Sequence, residues 1–253
     1  MKNELVAQLR DLPDDGLDAY LTEHSGLPGP RGNLELADAF AVTADSATIL
    51  RLAESDDEYL RFCGTEAVGR LALEQPANPT LRLLLRERAG DPLWRVREAA
   101  ARALQIVGDA DPALMLALVT EWSADPSPLV RRAAIAGICE PRLLKSPQAC
   151  AAALAACLNC TEWIAALPAD GRRDPGVRTL RQALGYCWSV AIAADPGPGL
   201  AAFERMRAVA DPDIRWIVRT NLTKARLRRL LEAREAPAPL SRPAVPGHPI
   251  ATE

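Results

Sequence analysis

The chain has 253 residues, 49% of them hydrophobic but only 4% aromatic, and a net charge of −3. That length allows one large domain or two small ones. With so few aromatics, the core must be filled by alanine and leucine, the best helix formers. β-Branched residues are sparse and never alternate over a strand-length run, so the composition excludes an extended sheet and reads all-α.

The N-terminal "MKNELVAQLRDLPDDG" lacks the apolar core of a signal peptide. The longest uncharged run, Ser146 to Thr161, contains Ser, Pro, Gln and Asn and is too short to span a bilayer. The expectation is a cytoplasmic chain without a membrane partner, its six cysteines kept as thiols. Residues 1–33 are expected to form a helical cap, with helices over 2–11 and 14–24 ending in the turn-rich "GLPGPRGN". Such a cap would cover the apolar edge of whatever follows.

Asp-Pro then occurs six times, at 91–92, 111–112, 125–126, 174–175, 195–196 and 211–212. Asp suits an N-cap because its carboxylate accepts a bond from an orphan N–H of the first turn. Pro suits the next position, where its missing N–H costs nothing. Each pair therefore predicts a helix start.

An aliphatic-Arg pair recurs near the start of a helix as Leu60-Arg61, Val96-Arg97, Val130-Arg131, Val177-Arg178 and Ile214-Arg215, at spacings of 36, 34, 47 and 37 residues. Eight residues after each aliphatic stand Val68, Leu104, Ile138, Gly185 (with Leu184 beside it) and Leu222. Offsets of zero and eight share one helix face. Further amphipathic helices fit between the marks, over roughly 80–89, 112–123, 147–166 and 197–209. The unit is a pair of antiparallel helices, and residues 34–235 are predicted to be an α-solenoid of about five pairs.

"DPLWRVREAAARALQIVGDADP" and "DPSPLVRRAAIAGI" resemble HEAT repeats, armadillo-type helical repeats, in particular the variety also found in phycobilisome-lyase-like proteins. The resemblance covers roughly residues 45–232. It implies that Arg61, Arg97, Arg131, Arg178 and Arg215 form a structural ladder, each pairing with an Asp near the turn of a neighbouring repeat. Asp91, Asp125 and either Asp174 or Asp211 are the partners it suggests. Arg131→Ala should then destabilise the fold, whereas the adjacent Arg132, on another face, should tolerate alanine.

Catalytic machinery is hard to find. Of two histidines, His24 lies in the cap and His248 in the tail, so a Ser-His or Cys-His pair is not expected. "GPRG" and "PGPG" follow no strand and are turns. Cys157 and Cys160 form one C-x-x-C inside an Ala-rich stretch, with Cys150 seven residues earlier. Without a second pair this predicts buried thiols, not zinc. No catalytic residue, cofactor or metal site is assigned. The Pro-rich residues 236–253 are expected to be a disordered tail.

Charge is uneven along the chain. Residues 1–60 carry 4 basic and 13 acidic side chains, whereas residues 171–235 carry 13 basic and 7 acidic. Two interpretations stand: ordinary solvated faces, or an elongated molecule with an acidic and a basic end. "VRTLRQALGYCWSV" and "DIRWIVRTNLTKARLRR" offer Arg181, Tyr186, Trp188, Arg215, Trp216, Arg219 and Arg226 as partner-binding candidates. On a continuous helix Arg215, Arg219 and Arg226 make one narrow stripe, and Arg with Trp is interface composition.

The expected function is a non-catalytic scaffold or binding module for another protein, one with an acidic surface. Nucleic acid is the less favoured ligand, because an acidic protein binds it weakly unless its positive charge is focused. The layout also has some similarity to HEAT-like DNA alkylation-repair glycosylases. That resemblance implies an aromatic before the Arg131-Arg132 pair, where this chain has Leu129, and a catalytic Asp that no residue here matches. A chromophore-lyase-like subunit is a third reading, resting on the repeat variety alone.

Overall fold

The computed structural model describes residues 2–13 and 16–235. The segment 236–253, with His248, lies outside the described residues, so the tail expectation is left there. Among the described residues the chain forms fourteen α-helices and one 3-10 turn, Gly171–Arg173, with no strand.

Five antiparallel pairs follow one another: α4 (Ser46–Ala53) with α5 (Glu58–Glu74), α6 (Pro79–Ala89) with α7 (Trp94–Ala110), α8 (Pro112–Ser123) with α9 (Pro128–Ile138), α10 (Pro147–Ala166) with α11 (Pro175–Ala194), and α12 (Pro196–Arg207) with α13 (Pro212–Leu222). Ahead of them lie α1 (Lys2–Asp11), α2 (Leu17–Glu23) and α3 (Leu34–Thr43); after them comes α14 (Ala225–Glu235). The second helices stack in the order α5, α7, α9, α11, α13, and α3 precedes them against α5. α1 packs on α3, and α2 on α5. Over the described residues the chain is an all-α solenoid of stacked helical pairs.

The repeat marks explain the stacking. Leu60, Val68, Val96, Leu104, Val130, Ile138, Val177, Leu184 and Ile214 are all buried, so both aliphatic offsets face the core in the first four pairs, whereas Leu222 of the fifth is half-buried. Small residues let the second helices approach closely. A Cβ placed on Gly69 would sit 2.6 Å from the Ala103 carbonyl oxygen of α7. That contact would require the two helices to part.

Asp-Pro divides into two uses. Asp111, Asp174 and Asp211 cap helices through their carboxylates, accepting from Leu114 N, from Gly176 and Val177 N, and from Asp213 and Ile214 N. Asp195 occupies the N-cap of α12 without a side-chain bond. The remaining two expectations need correction. Helices α7 and α9 begin at Trp94 and Pro128, so Asp91 and Asp125 stand in the preceding turn. Their carboxylates accept from Leu93 N and Ser127 N at 2.8 Å. This is an Asx turn, which holds the chain extended before the helix starts.

The uncharged run read as too short for a bilayer is extended by the structure. The whole of α10 has 20 residues and is long and apolar enough to cross one by length and composition. Here it packs against α8, α9, α11 and α13, burying Ala149, Ala153, Cys157, Cys160 and Ile164. In this fold α10 is a core helix.

Candidate functional site

The predicted arginine ladder is a different device from the one the resemblance implied. Arg61 does reach a carboxylate, Asp91, at 3.2 Å. Arg97 instead donates to the Asp91 and Pro92 carbonyls at 2.6 and 2.9 Å. Arg131 donates to the carbonyls of Asp125, at 2.6 Å, and Ser123. The shared contact is with the carbonyl six residues earlier: Arg61 to Ser55, Arg97 to Asp91, Arg131 to Asp125. Each arginine closes the turn between the two helices of its own pair. The Asp125 carboxylate is taken by Arg86 of α6, at 2.6 and 3.0 Å. Arg178 and Arg215 are exposed and meet no carboxylate among the described residues, so the column stops after α9.

What ties one pair to the next is a set of rungs the sequence reading missed. Arg95 of α7 takes Glu58 of α5 at 3.0 Å, and Arg102 takes Glu66 at 2.6 Å. Arg132 of α9 takes Glu98 of α7, so Arg132 is not a free neighbour of Arg131. Arg142, after α9, takes Asp109 at 3.1 Å. The partners are 37, 36, 34 and 33 residues apart. An acid and an arginine one repeat apart were therefore a legible signal.

One rung is buried. Glu66 is fully enclosed, and Arg102 joins it to Asp38 of α3, whose Oδ1 is 2.7 Å away. Burial pushes the Glu66 carboxyl up to about 7, with Asp38 reinforcing the rise and Arg102 opposing it. The folded state then holds more protons than the unfolded one between pH 4.5, the ordinary value, and about 7. Stability from this group should be complete below pH 4.5 and fall as pH rises across that window, by up to about 3 kcal/mol. Glu66→Gln should flatten that slope in urea titrations at stepped pH. An unchanged slope would assign the effect to another group.

The partner-binding candidates separate into two kinds. Trp188 is fully buried and donates from Nε1 to Thr161 Oγ1 at 3.0 Å, so it belongs to the core and leaves the candidate surface. Arg181 stacks over Trp216, 4.9 Å from the ring centroid, and pairs with Asp213. Arg172 reaches Asp211 and Asp213 at 2.5 and 3.2 Å. Burial raises the Asp211 carboxyl, but Arg172 and the Ile214 and Asp213 amides outweigh it and hold it below the usual range. Arg181 and Trp216 thus form a joint between α11 and α13.

Tyr186, Arg215, Arg219 and Arg226 remain at the surface. Tyr186 is 45% exposed. Arg226 lies over its ring at 5.1 Å and donates to its hydroxyl at 2.9 Å, and Lys224 lies 5.9 Å from the same ring. Arg215 and Arg219 are exposed one turn apart on α13, with no carboxylate partner among the described residues. The continuous stripe predicted for Arg215, Arg219 and Arg226 is broken. The chain turns between Leu222 and Ala225, carrying Arg226 on α14 across to α11. Polar side chains take up backbone groups at this turn. Asn221 is buried, accepts from Ser189 N and donates to the Leu184 carbonyl, both at 2.9 Å, while Thr223 Oγ1 bonds back to the Thr220 carbonyl.

All six cysteines are buried free thiols. Cys139 and Cys157 sulfurs lie 3.8 Å apart, and burial pushes Cys160 up to about 12, which leaves it a poor nucleophile. Cys150 bonds weakly to the Leu144 carbonyl. Among the described residues no group of His, Cys, Asp and Glu is arranged to hold a metal ion. His24 stacks on Tyr20 at 4.1 Å, with Nδ1 2.9 Å from the Tyr20 carbonyl.

No curated protein matches the chain. Among solved structures, an engineered protein is similar at 14% identity over 90% of this chain and 97% of that one, with a TM-score of 0.35. A family model of HEAT repeats matches residues 46–139, the span from α4 through α9 that holds the turn-closing arginines and most of the rungs. Residues 46–139 are thus similar to HEAT repeats, and the helical pairing continues beyond them to α13.

Proposed function

We propose that the chain is a non-catalytic binding module whose partner is a protein with an acidic surface, held at the C-terminal repeats. HEAT repeats commonly serve as protein-interaction scaffolds, and stacked pairs offer an extended surface for that use. The observation that carries the proposal is the change in pairing toward the C-terminus, where Arg172 and Arg181 still tie the last two pairs through Asp211 and Asp213 but other arginines are left without acids. Arg95, Arg102, Arg132 and Arg142 are each matched by a carboxylate from the preceding repeat. Arg178, Arg215 and Arg219, in the last two pairs, are exposed and unmatched among the described residues. Arg226 and Lys224 share only the Tyr186 ring. Tyr186 with its flanking cations has the aromatic and arginine character of a binding anchor.

The test is reversal of Arg215, Arg219 and Arg226 to glutamate together, with the fold checked by its melting curve. Partners recovered from native lysate with the parent chain should be lost with the variant. Recovery of the same partners in the same amounts would make this a solvated face. Salt separates partner classes. A protein complex anchored on Tyr186 should keep most of its affinity as salt rises. Nucleic acid should show a steep log–log loss from counterion release.

A further inference from the structure

Resting on that reading, we propose that a groove beside Tyr186 takes the C-terminal residue of the partner protein, with its carboxylate on Arg226 and Tyr186 and its aliphatic side chain in the groove. Tyr186 stands on α11, and Val190, Ala193 and Ala194 follow it at four, seven and eight residues, so they share one helix face. Over the far end of that face lies a hollow of about 480 Å³. Leu144 and Val190 make its buried floor, and Pro141, Ala193 and Ala194 edge it. Among the described residues the one charged group lining the hollow is Arg226 of α14.

Arg226 is fixed where the hollow meets the tyrosine. It lies over the Tyr186 ring at 5.1 Å and gives one N–H to its hydroxyl at 2.9 Å. It has no carboxylate partner among the described residues. A guanidinium carries five N–H donors, so most are left for a ligand. A phenol hydroxyl that accepts one bond still has its own proton to donate. Lys224, with its ammonium 5.9 Å from the same ring, adds a second positive charge. Guanidinium, hydroxyl and ammonium together suit a carboxylate, and bonds to an ionised acceptor are about twice as strong as neutral ones.

A cation beside an apolar hollow narrows the occupant. A Glu or Asp side chain ends in its carboxylate and brings no apolar group past it. A phosphate brings none at all. The last residue of a protein chain carries its α-carboxylate and its side chain on one Cα. With Leu, Ile or Val in that place, a single residue meets the guanidinium and fills the hollow. Ligand pockets span about 300–1,000 Å³, and this one lies in the lower half of that range, the size for a residue or two and not for a helix.

The probe is the peptide Gly-Ser-Gly-Ser-Ala-Leu with an N-terminal fluorophore and a free C-terminal carboxylate, titrated with the full chain by fluorescence anisotropy. A twin ending in a carboxamide should bind at least tenfold more weakly, through the lost charged bonds. A twin with Gly in the last place should lose about fivefold, through the unfilled hollow. Arg226→Ala should cut the acid-over-amide ratio to below twofold. Ala193 is exposed on its helix, so Ala193→Leu keeps the fold and fills the hollow with Arg226 in place. That variant should lose the Leu-over-Gly preference and keep the acid-over-amide one. Melting curves confirm that both variants are folded. Equal binding of acid and amide, an acid-over-amide ratio that survives Arg226→Ala, or a Leu preference that survives Ala193→Leu would each overturn the proposal. Two other results overturn the stated occupant. A carboxamide peptide with an internal Glu that binds as tightly as the probe would return Arg226 to the general acidic contact. Decanoate that displaces the probe at a lower concentration than the unlabelled peptide would point to a lipid carboxylate. If the peptides fail while reversal of Arg215, Arg219 and Arg226 still loses the lysate partners, the wider binding reading stands without this groove.

Discussion

Gly64→Ala should lower the melting temperature by about 6–12 °C, the largest loss expected from adding one methyl group. A Cβ at Gly64 would lie 2.1 Å from the Ala53 amide nitrogen and 2.5 Å from the Leu52 carbonyl carbon. Both neighbours are backbone of α4, so no side chain can rotate away. Helices α4 and α5 must separate, which loosens Leu52, Ile49 and Val68, all fully buried. Overpacking against backbone costs about 3 kcal/mol, and in a chain of this size each kcal/mol moves the midpoint by about 2–4 °C. Gly197 supplies the control. It lies in α12 with nothing within 4 Å of its Cβ position. Gly197→Ala should stabilise the chain by about 0.5–1 kcal/mol, because alanine loses less entropy on entering a helix. Differential scanning calorimetry of the two variants checks both signs. Similar midpoints would mean that the α4–α5 contact is looser than its geometry.

The contrast shows which parts of the fold a sequence can carry. Aliphatic offsets of zero and eight come from helix geometry alone, so the second helices and their buried faces were legible. Asp-Pro was legible only in part, since one dipeptide serves as an N-cap before α8, α11 and α13 and as an Asx turn before α7 and α9. The choice depends on residues downstream, where Ser127-Pro128 offers a second start. Trp188 was misplaced for a simpler reason. Leu180, Leu184 and Trp188 are four apart and all fully buried. Helical spacing assigns Trp188 to the core more strongly than its basic neighbours assign it to an interface. The joint that breaks the stripe, at Asn221, could not be read without knowing that α11 offers an amide and a carbonyl at its level.

The rungs connect fold to function through the same side-chain chemistry. An arginine closing a turn and an arginine binding a partner look identical in a repeat alignment. They differ in what lies opposite. Helices α7 and α9 each find acids on the preceding second helix, and those charges cancel within the solenoid. Beyond α9, among the described residues, the acids engaged by arginine between α11 and α13 are Asp211 and Asp213, taken by Arg172 and Arg181. Residues 171–235 consequently keep an excess of 13 basic over 7 acidic side chains. That excess produces a long-range field, attenuated over about 10 Å at 0.1 M salt, which favours encounter with an acidic partner.

Arg131→Ala should destabilise the chain by about 3 kcal/mol, and Arg132→Ala by about 1 kcal/mol. The first residue is only 5% exposed. Its guanidinium donates to the Asp125 and Ser123 carbonyls and stacks over Trp163 of α10, 4.6 Å from the ring centroid. Removing it strands two carbonyl groups at the turn between α8 and α9 and opens a space beside Trp163. Each stranded buried acceptor costs about 1–3 kcal/mol, and the lost stacking adds to that. Arg131→Lys should recover less than half of the loss, because a single ammonium cannot serve two carbonyls and a ring face at once. Arg132 holds the Glu98 carboxylate and the Arg97 carbonyl. Glu98 is 40% exposed at its side chain, so water can replace Arg132 there. The resemblance to HEAT repeats implied that an acid anchors Arg131, and the two explanations part on one further variant. Asp125→Asn leaves the Asp125 main-chain carbonyl in place, so the melting loss caused by Arg131→Ala should be the same in that background as in the parent. The variant itself should lose about 1 kcal/mol through the charged bonds from Arg86. A loss from Arg131→Ala that disappears in the Asp125→Asn background would restore the carboxylate as its partner.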